Sequence, residues 1–435
     1  MGQRTHAHSR RDILRLAGAA LTGSAAIGLA GCVDEDNPAF DVANPLARSA
    51  GGTTPGGEIP TYQDVYREDA DVIVADAGTL EQELAAGNGQ IVWVDSDTHI
   101  DMTGQNATLD NTVLASGRSE GDSGALITTD DRGMDSLTRD PALFEVGEGA
   151  RITGVELRGP HYDFTDSDVI PGYIPMAPGG SYDVRQQWRD DWYARAISVR
   201  GENSQVDNCE IWGWSAGIAV GSQSTEVSPD IMYNAIHNCM MTSAGYPIDV
   251  RHGTPVIYRC WFDAYRHAVN GSGLSDAGYY VLECTFGPHA SSFPLDMHRV
   301  DENQSGSSDS GALDYRSRAG GTMVVQDSQV MPTNIVDDSY HNEGSGYVNH
   351  RPGGETPHVH VRGIPADGFW FEGNVCAHPD PQTALNQTIP DGYSGDENGW
   401  YDIYENGNEW GVDFSDTDEN SDGEDDDGAN GDDDG

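Results

Sequence analysis

The sequence predicts an all-β protein built as a solenoid of short parallel strands, and three observations carry that prediction. Two short apolar phrases recur through the middle of the chain, most often at intervals of 21 to 30 residues. Each phrase alternates apolar and polar residues with a period of two, the signature of a strand with one buried face. No amphipathic helical pattern lies between the phrases, and 54 glycines in 435 residues favour turns over long helices. An internal repeat of this size means units that bury their apolar faces only by stacking on their neighbours.

The first phrase reads apolar-x-x-small-x-apolar and occurs at 152–157, 206–211, 236–241, 257–262, 281–286, 325–330 and 371–376. Its small position holds Val155, Cys209, Cys239, Cys260, Cys284, Ser328 and Asn374. Stacked coils would set these side chains in one inward file about 4.8 Å apart, with the cysteines as free, small apolar fillers. The second phrase is shorter: Phe144–Val146, Ile197–Val199, Ile218–Val220, Ile248–Val250, Val269–Gly271, Leu295–Met297 and Val359–Val361. Its successive members lie 53, 21, 30, 21, 26 and 64 residues apart, so the two long intervals contain inserted loops. Ile91–Val94, followed by Ala107–Val113, supplies the first coil.

This pattern resembles the right-handed parallel β-helix of the pectate-lyase-like superfamily over about residues 90–380. The resemblance rests on the degenerate repeat. It implies a carbohydrate-active fold, but the Asn-Thr-Asp and Gly-His-Gly elements of its polygalacturonase-like branch are absent. Arg362-Gly-Ile-Pro365 only loosely resembles a lyase's arginine-proline element.

The flanks carry an address. Arg10-Arg11 precede an apolar run that ends in Leu29-Ala30-Gly31-Cys32, and the whole resembles a twin-arginine export signal closed by a lipoprotein box. Residues 1–31 are therefore expected as signal peptide, with Cys32 the lipidated first residue of a membrane-anchored protein on the extracellular face. Residues 32–70 read as a flexible tether, 71–395 as the β-helix, and 396–435 as an acidic disordered tail. From 413 to 435 the chain has 12 Asp/Glu and no basic residue.

Seventy-two Asp/Glu oppose 23 basic residues, all of them Arg, for a formal charge of −49. Lysine chemistry is excluded, and nucleic acid is not a partner for so acidic a chain. The composition resembles that of extreme halophiles, in which carboxylates hold water and cations while molar salt screens their repulsion to about 3 Å. Most single carboxylates are thus solvated surface, and Arg or His are the more informative polar residues.

Those residues gather on the second phrase. Its outward middle positions read Glu145, Ser198, Ala219, Asp249, Asn270, Asp296 and His360. Two residues on, along the same face, come Gly147, Arg200, Gly221, Arg251, Ser272, His298 and Arg362. Asp249 and Asp296 fall two coils apart, about 9–10 Å, and Arg266-His267 and His289 lie at the turns entering this region. An exposed sheet bearing these groups suits an acidic polysaccharide. His298 or His267 would act as base, Arg251 and Arg362 would meet uronates with His360 and Asn270 beside them, and Asp249 with Asp296 would form a proton-transfer pair or hold Ca²⁺. Insertions at about 161–191, 301–321 and 332–356 flank the site, the first carrying Tyr162, Tyr173, Tyr182 and Trp188, with Trp192 just beyond.

The expected activity is β-elimination by a monomeric cell-surface protein acting on polysaccharide or envelope glycan. Two alternatives stand beside it. One is a non-catalytic envelope or biofilm protein. The other is a glycoside hydrolase using Asp249 and Asp296, whose inferred spacing falls near the inverting range.

Overall fold

Three strands per coil, each hydrogen-bonded to its counterpart one coil away, build three parallel sheets of eleven, ten and nine strands. The molecule is a right-handed parallel β-helix. A computed structural model describes residues 52–54, 57–59, 63–120, 122–131, 142–161, 193–221, 226–239, 245–288, 290, 292–300, 318–331, 357–389, 394–396 and 398–414. Cys32 and the signal-like segment, the tail from 415, His289 and the aromatic residues of the 161–191 insertion lie outside them, as does Trp192. No helix among the described residues is long and apolar enough to cross a membrane.

The eleven-stranded sheet runs from Val72–Val74 to Ile403–Asn406, and the ten-stranded sheet from His99–Asp101 to Glu409–Trp410. The nine-stranded sheet begins at Ala107–Leu109 and ends at Leu385–Gln387, with all seven copies of the second phrase between. One apolar core fills the interior along the axis. Its first-coil end is covered by a helix absent from the sequence reading, Ala77–Leu84. Asp76 caps it by accepting the Thr79 amide, and Leu80 and Leu84 are fully buried.

The body is longer than expected at both ends. Residues 63–70, assigned above to the tether, pack on the eleven-stranded sheet: Val65 sits with Trp93 and Ala115, and Arg151 donates to the Gln63 carbonyl at 2.8 Å. The final coil continues past 395 through Trp410, whose ring stacks on Phe371.

The first phrase is a strand, a sharp corner and a second strand. At the corner one residue adopts a left-handed backbone in coil after coil: Gly154, Asn208, Tyr233, Arg259, Glu283, Asp327, Gly373 and Gly407, with φ between 49° and 71°. Five of these eight are not glycine, and Tyr233, Arg259 and Glu283 would be costly there in isolation. The ladder offsets that cost. Each of the first seven donates its amide to the next coil, as from Asn208 to the Met232 carbonyl at 3.0 Å.

The following residue forms the inward file, and here the sequence reading needs a correction. Cys239 is not in the file; Asn234 is. Ile231, not Ile236, pairs with Val206, so the phrase belongs at 231–236 and 236–241 is slipped by one strand. Cys209, Cys260 and Cys284 do stack with Asn234, and all are free thiols, as is Cys239. Nor are the small residues mere filler. The corner turns a backbone N–H inward, and the file side chain of the next coil accepts it: Cys209 N to Asn234 Oδ1 at 2.9 Å, Cys284 N to Ser328 Oγ at 3.1 Å, Ser328 N to Asn374 Oδ1 at 2.9 Å. Asn234 also donates Nδ2 to the Val206 carbonyl at 2.9 Å. Asn234→Ala therefore strands two buried backbone groups, each worth about 1–3 kcal/mol. Denaturant melts should show that loss, and Asn234→Cys should recover a large part of it because thiols already fill equivalent places.

Candidate functional site

The nine-stranded sheet sets the predicted residues in the predicted register. Asp249 opposes Asn270, Asn270 opposes Asp296, and Asp296 opposes His360. The second row continues it, since Arg251, Ser272, His298 and Arg362 each donate a backbone N–H to the last residue of the preceding strand. Seven of the eight sequence-predicted site residues thus lie on three coil steps of one sheet, and His267 enters from the turn before Val269.

Their burial differs from the expectation of an exposed sheet. Asp249 and Asp296 are fully buried, and Asn270 nearly so. Each carboxylate is held by a guanidinium from the second row. Arg362 grips Asp296 through Nε at 3.0 Å and Nη2 at 2.6 Å. Arg251 Nε meets Asp249 at 2.7 Å, and Asn270 Nδ2 donates to the other oxygen at 2.8 Å. Burial alone would raise both carboxyl pKa values, but it is outweighed. His267, His298 and Arg362 hold Asp296 far below the usual carboxylate range, and Arg251, Asn270 and Arg195 hold Asp249 below it. Both are anions at every working pH.

Three imidazoles surround Asp296. His267 Nε2 and His298 Nε2 lie 3.4 Å from Oδ2, and His360 Nδ1 lies 3.7 Å from Oδ1. They are not equivalent. His267 is 1% exposed and hydrogen-bonds the Phe293 carbonyl through Nδ1 at 2.8 Å; burial pushes its pKa down to about 3, so it is neutral. His298 and His360 keep 17% of their side chains exposed. Of the two candidate bases, only His298 combines access to solvent with a second-row position above Asp296.

Two aromatic residues were missed. Tyr246 and Phe293 occupy the same register as His267, two residues ahead of Ile248 and Leu295, and sandwich its ring at 5.8 and 6.3 Å. Phe293 also touches His360 at 4.7 Å, and Arg266 donates to the Tyr246 hydroxyl at 2.7 Å. Extending the strand alignment two residues upstream would have found them.

The donor set does not suit Ca²⁺. Asp249 and Asp296 are separated by Asn270, each is already in an ion pair with Arg, and no group of three or more ligating acidic, His or Cys side chains forms among the described residues. The two carboxylates instead position cations.

That positioning makes acid stability a prediction. His267 and His358 are both buried neutral with pKa values near 3, His358 through burial and the neighbouring His378. Unfolded histidine binds its proton near 6.5, so the unfolded state takes up more protons between about 6.5 and 3. Stability is complete above that window and falls as pH drops through it, by about 1.4 kcal/mol per pH unit for each histidine. Denaturant midpoints measured at constant molar salt should decline from pH 6.5 downward, and replacing either histidine with Gln should flatten the slope.

No family model matches the sequence, and no curated protein does. Solved structures resemble it at low identity. The Escherichia coli protein YbhC is 10% identical with a TM-score of 0.38, covering 82% of this chain and 89% of its own. The rice weevil pectin methyl esterase is 11% identical with a TM-score of 0.38, covering 80% and 91%. A tailspike protein, gp49 of Acinetobacter baumannii bacteriophage Fri1, described as a capsular polysaccharide depolymerase, is 10% identical with a TM-score of 0.35, covering 78% and 57%.

Proposed function

We propose that this β-helix acts on an acidic polysaccharide at the cell surface, cleaving it by β-elimination on the nine-stranded sheet. One observation carries the reading: the second row sets three arginines and one imidazole along a line parallel to the helix axis. Arg200, Arg251, His298 and Arg362 occupy coil steps zero, two, four and five, so the line spans about 24 Å at the strand spacing. Their side chains retain 28%, 27%, 17% and 22% exposure. In a chain of net charge −49, partly exposed guanidinium groups spaced along one sheet, each anchored by a carboxylate, suit a linear polyanion.

In that pose Arg251 and Arg362 neutralise uronate carboxylates, which acidifies the proton on the adjacent carbon. His298 removes that proton, the electron pair forms a C4–C5 double bond, and the C4–O bond breaks. The leaving oxygen then takes a proton from water, and His298 releases the one it removed to solvent. Asp296 orients His298, while Arg362 keeps Asp296 ionised and fixed. Asp249 does the same for Arg251, and His360 and Asn270 border the bound chain. Full burial of both carboxylates does not favour the hydrolase reading with Asp249 and Asp296 as acid and base. Attachment through Cys32 would keep the enzyme beside envelope glycan. The test is incubation of the full chain with a panel of uronate polymers in molar salt. Rising ultraviolet absorbance from unsaturated ends supports elimination, and binding without product on every polymer leaves only the non-catalytic alternative.

A further inference from the structure

The last coil directs the chain toward the sheet that carries the site. Coil by coil, the chain passes from the ten-stranded to the nine-stranded sheet, as from Val375–Cys376 to Leu385–Gln387. Glu409–Trp410 is the final strand of the ten-stranded sheet. Gly411 and Val412 continue it, donating their amides to the His378 and Cys376 carbonyls at 3.0 Å each. At Phe414 the chain therefore stands on the corner that leads to the nine-stranded sheet. The outermost strand there, Leu385–Gln387, pairs with Val359–Val361, and Arg362 comes next in sequence. Phe414 thus lies about 10 Å along the axis from the coil of Arg362 and about 34 Å from that of Arg200, at the strand spacing. Residues 415–435 follow. Eleven of these 21 are Asp or Glu, none is basic, and none is apolar beyond Ala429. The segment offers no side chain with which to build another coil. Fully extended it would span about 70 Å, beyond every arginine of the row.

We propose that residues 415–435 lie back along the arginine row and compete there with the acidic polysaccharide. The proposal rests on the reading of that row as a polyanion site. Charge selects the place. Arg200, Arg251 and Arg362 are partly exposed, and a guanidinium has five N–H donors, enough to engage a second carboxylate beside its own. In a chain with 72 Asp/Glu against 23 Arg, most other surface repels the segment. Its carboxylates stand in for those of uronates. They bring neither an acidified carbon–hydrogen bond nor a glycosidic leaving group, so His298 has nothing to eliminate. Because the segment is tied to the body, its effective concentration at the row is on the order of millimolar. A free polymer must overcome that competition. Short oligouronates are held off, whereas a long polymer gripped by several arginines at once displaces the segment. Salt weakens the contact, the Debye length falling to about 3 Å at 1 M.

The test uses the full chain at the lowest salt at which it still melts cooperatively. One variant combines Cys32→Ser with Asp426→Cys and carries a benzophenone on the new thiol, the other five cysteines being buried. Irradiation should cross-link position 426 to peptides of the nine-stranded sheet that contain Arg251, His298 or Arg362, identified by mass spectrometry. A second variant replaces the eleven Asp/Glu of 415–435 with Asn/Gln. It should bind fluorescent poly-L-glutamate at least about threefold more tightly than the wild type, because the competitor at millimolar effective concentration is gone. Cross-links spread evenly over the three sheets, or formed only between two chains, overturn the proposal. So does an unchanged probe affinity once the segment is neutral. Poly-L-glutamate that binds neither protein overturns the polyanion reading and this proposal together. Neither readout needs turnover, so a failure of elimination on every uronate polymer is told apart from a failure of this contact.

Discussion

His298→Gln is expected to lower elimination of a uronate polymer by 10²–10⁴-fold while leaving its binding within a few-fold of wild type. The range is that of a positioned general base. Glutamine keeps a polar side chain over Asp296 but cannot take a proton at neutral pH. The arginines of the row are untouched, so Arg200, Arg251 and Arg362 still hold the polymer. A split of this kind, with kcat falling and Kd nearly constant, is what a transition-state role predicts. Equal losses in both would make His298 a binding residue, and an unchanged rate would move the base elsewhere. Arg362→Lys offers a contrasting control. The bidentate grip on Asp296 needs the planar fork of a guanidinium, so a lysine there should raise KM and lower kcat together.

Much of this geometry could be read from the chain because a parallel β-helix translates sequence spacing into vertical neighbours. Once Ile248, Val269, Leu295 and Val359 were aligned, the register of Asp249, Asn270, Asp296 and His360 followed without further assumption, across an interval as long as 64 residues. Depth was not legible. Alternation assigns a side chain to a face, but it does not say that Arg251 and Arg362 fold back over Asp249 and Asp296 and exclude water from them. Stacking of Tyr246 and Phe293 on His267 was hidden for a similar reason, since those residues precede the alternating core of each phrase. The slip at Cys239 has a sharper cause. Ile231 and Ile236 both fit the apolar position, and the file residue between them is Asn234 rather than a thiol. Cys239, three residues after Ile236, makes the wrong isoleucine match the neighbouring phrases better. The physical requirement at that corner is an acceptor for an inward N–H, which Cys, Ser and Asn all meet.

Asp296→Ala should destabilise the fold by about 3–5 kcal/mol, the cost of removing one partner from a buried ion pair. The loss is large against the 5–15 kcal/mol of an ordinary domain. It arises because Arg362, 22% exposed, cannot turn fully to solvent, and because Asp296 is the common partner of four cationic or potentially cationic groups. Asp296→Ala combined with Arg362→Met should therefore be more stable than Asp296→Ala alone, giving a coupling energy of 0.5–3 kcal/mol in a double-mutant cycle. Denaturant titrations in molar salt read this directly, with constant slopes confirming that the unfolded state is unchanged. The cycle also tests the division of labour on the sheet. If Asp296 were an accessible acid or a metal ligand, its removal would cost activity but little stability, and Arg362→Met would add its own loss rather than restore. Recovery in the double variant means that the carboxylate exists to hold cations in place, and that the chemistry belongs to the imidazole above it.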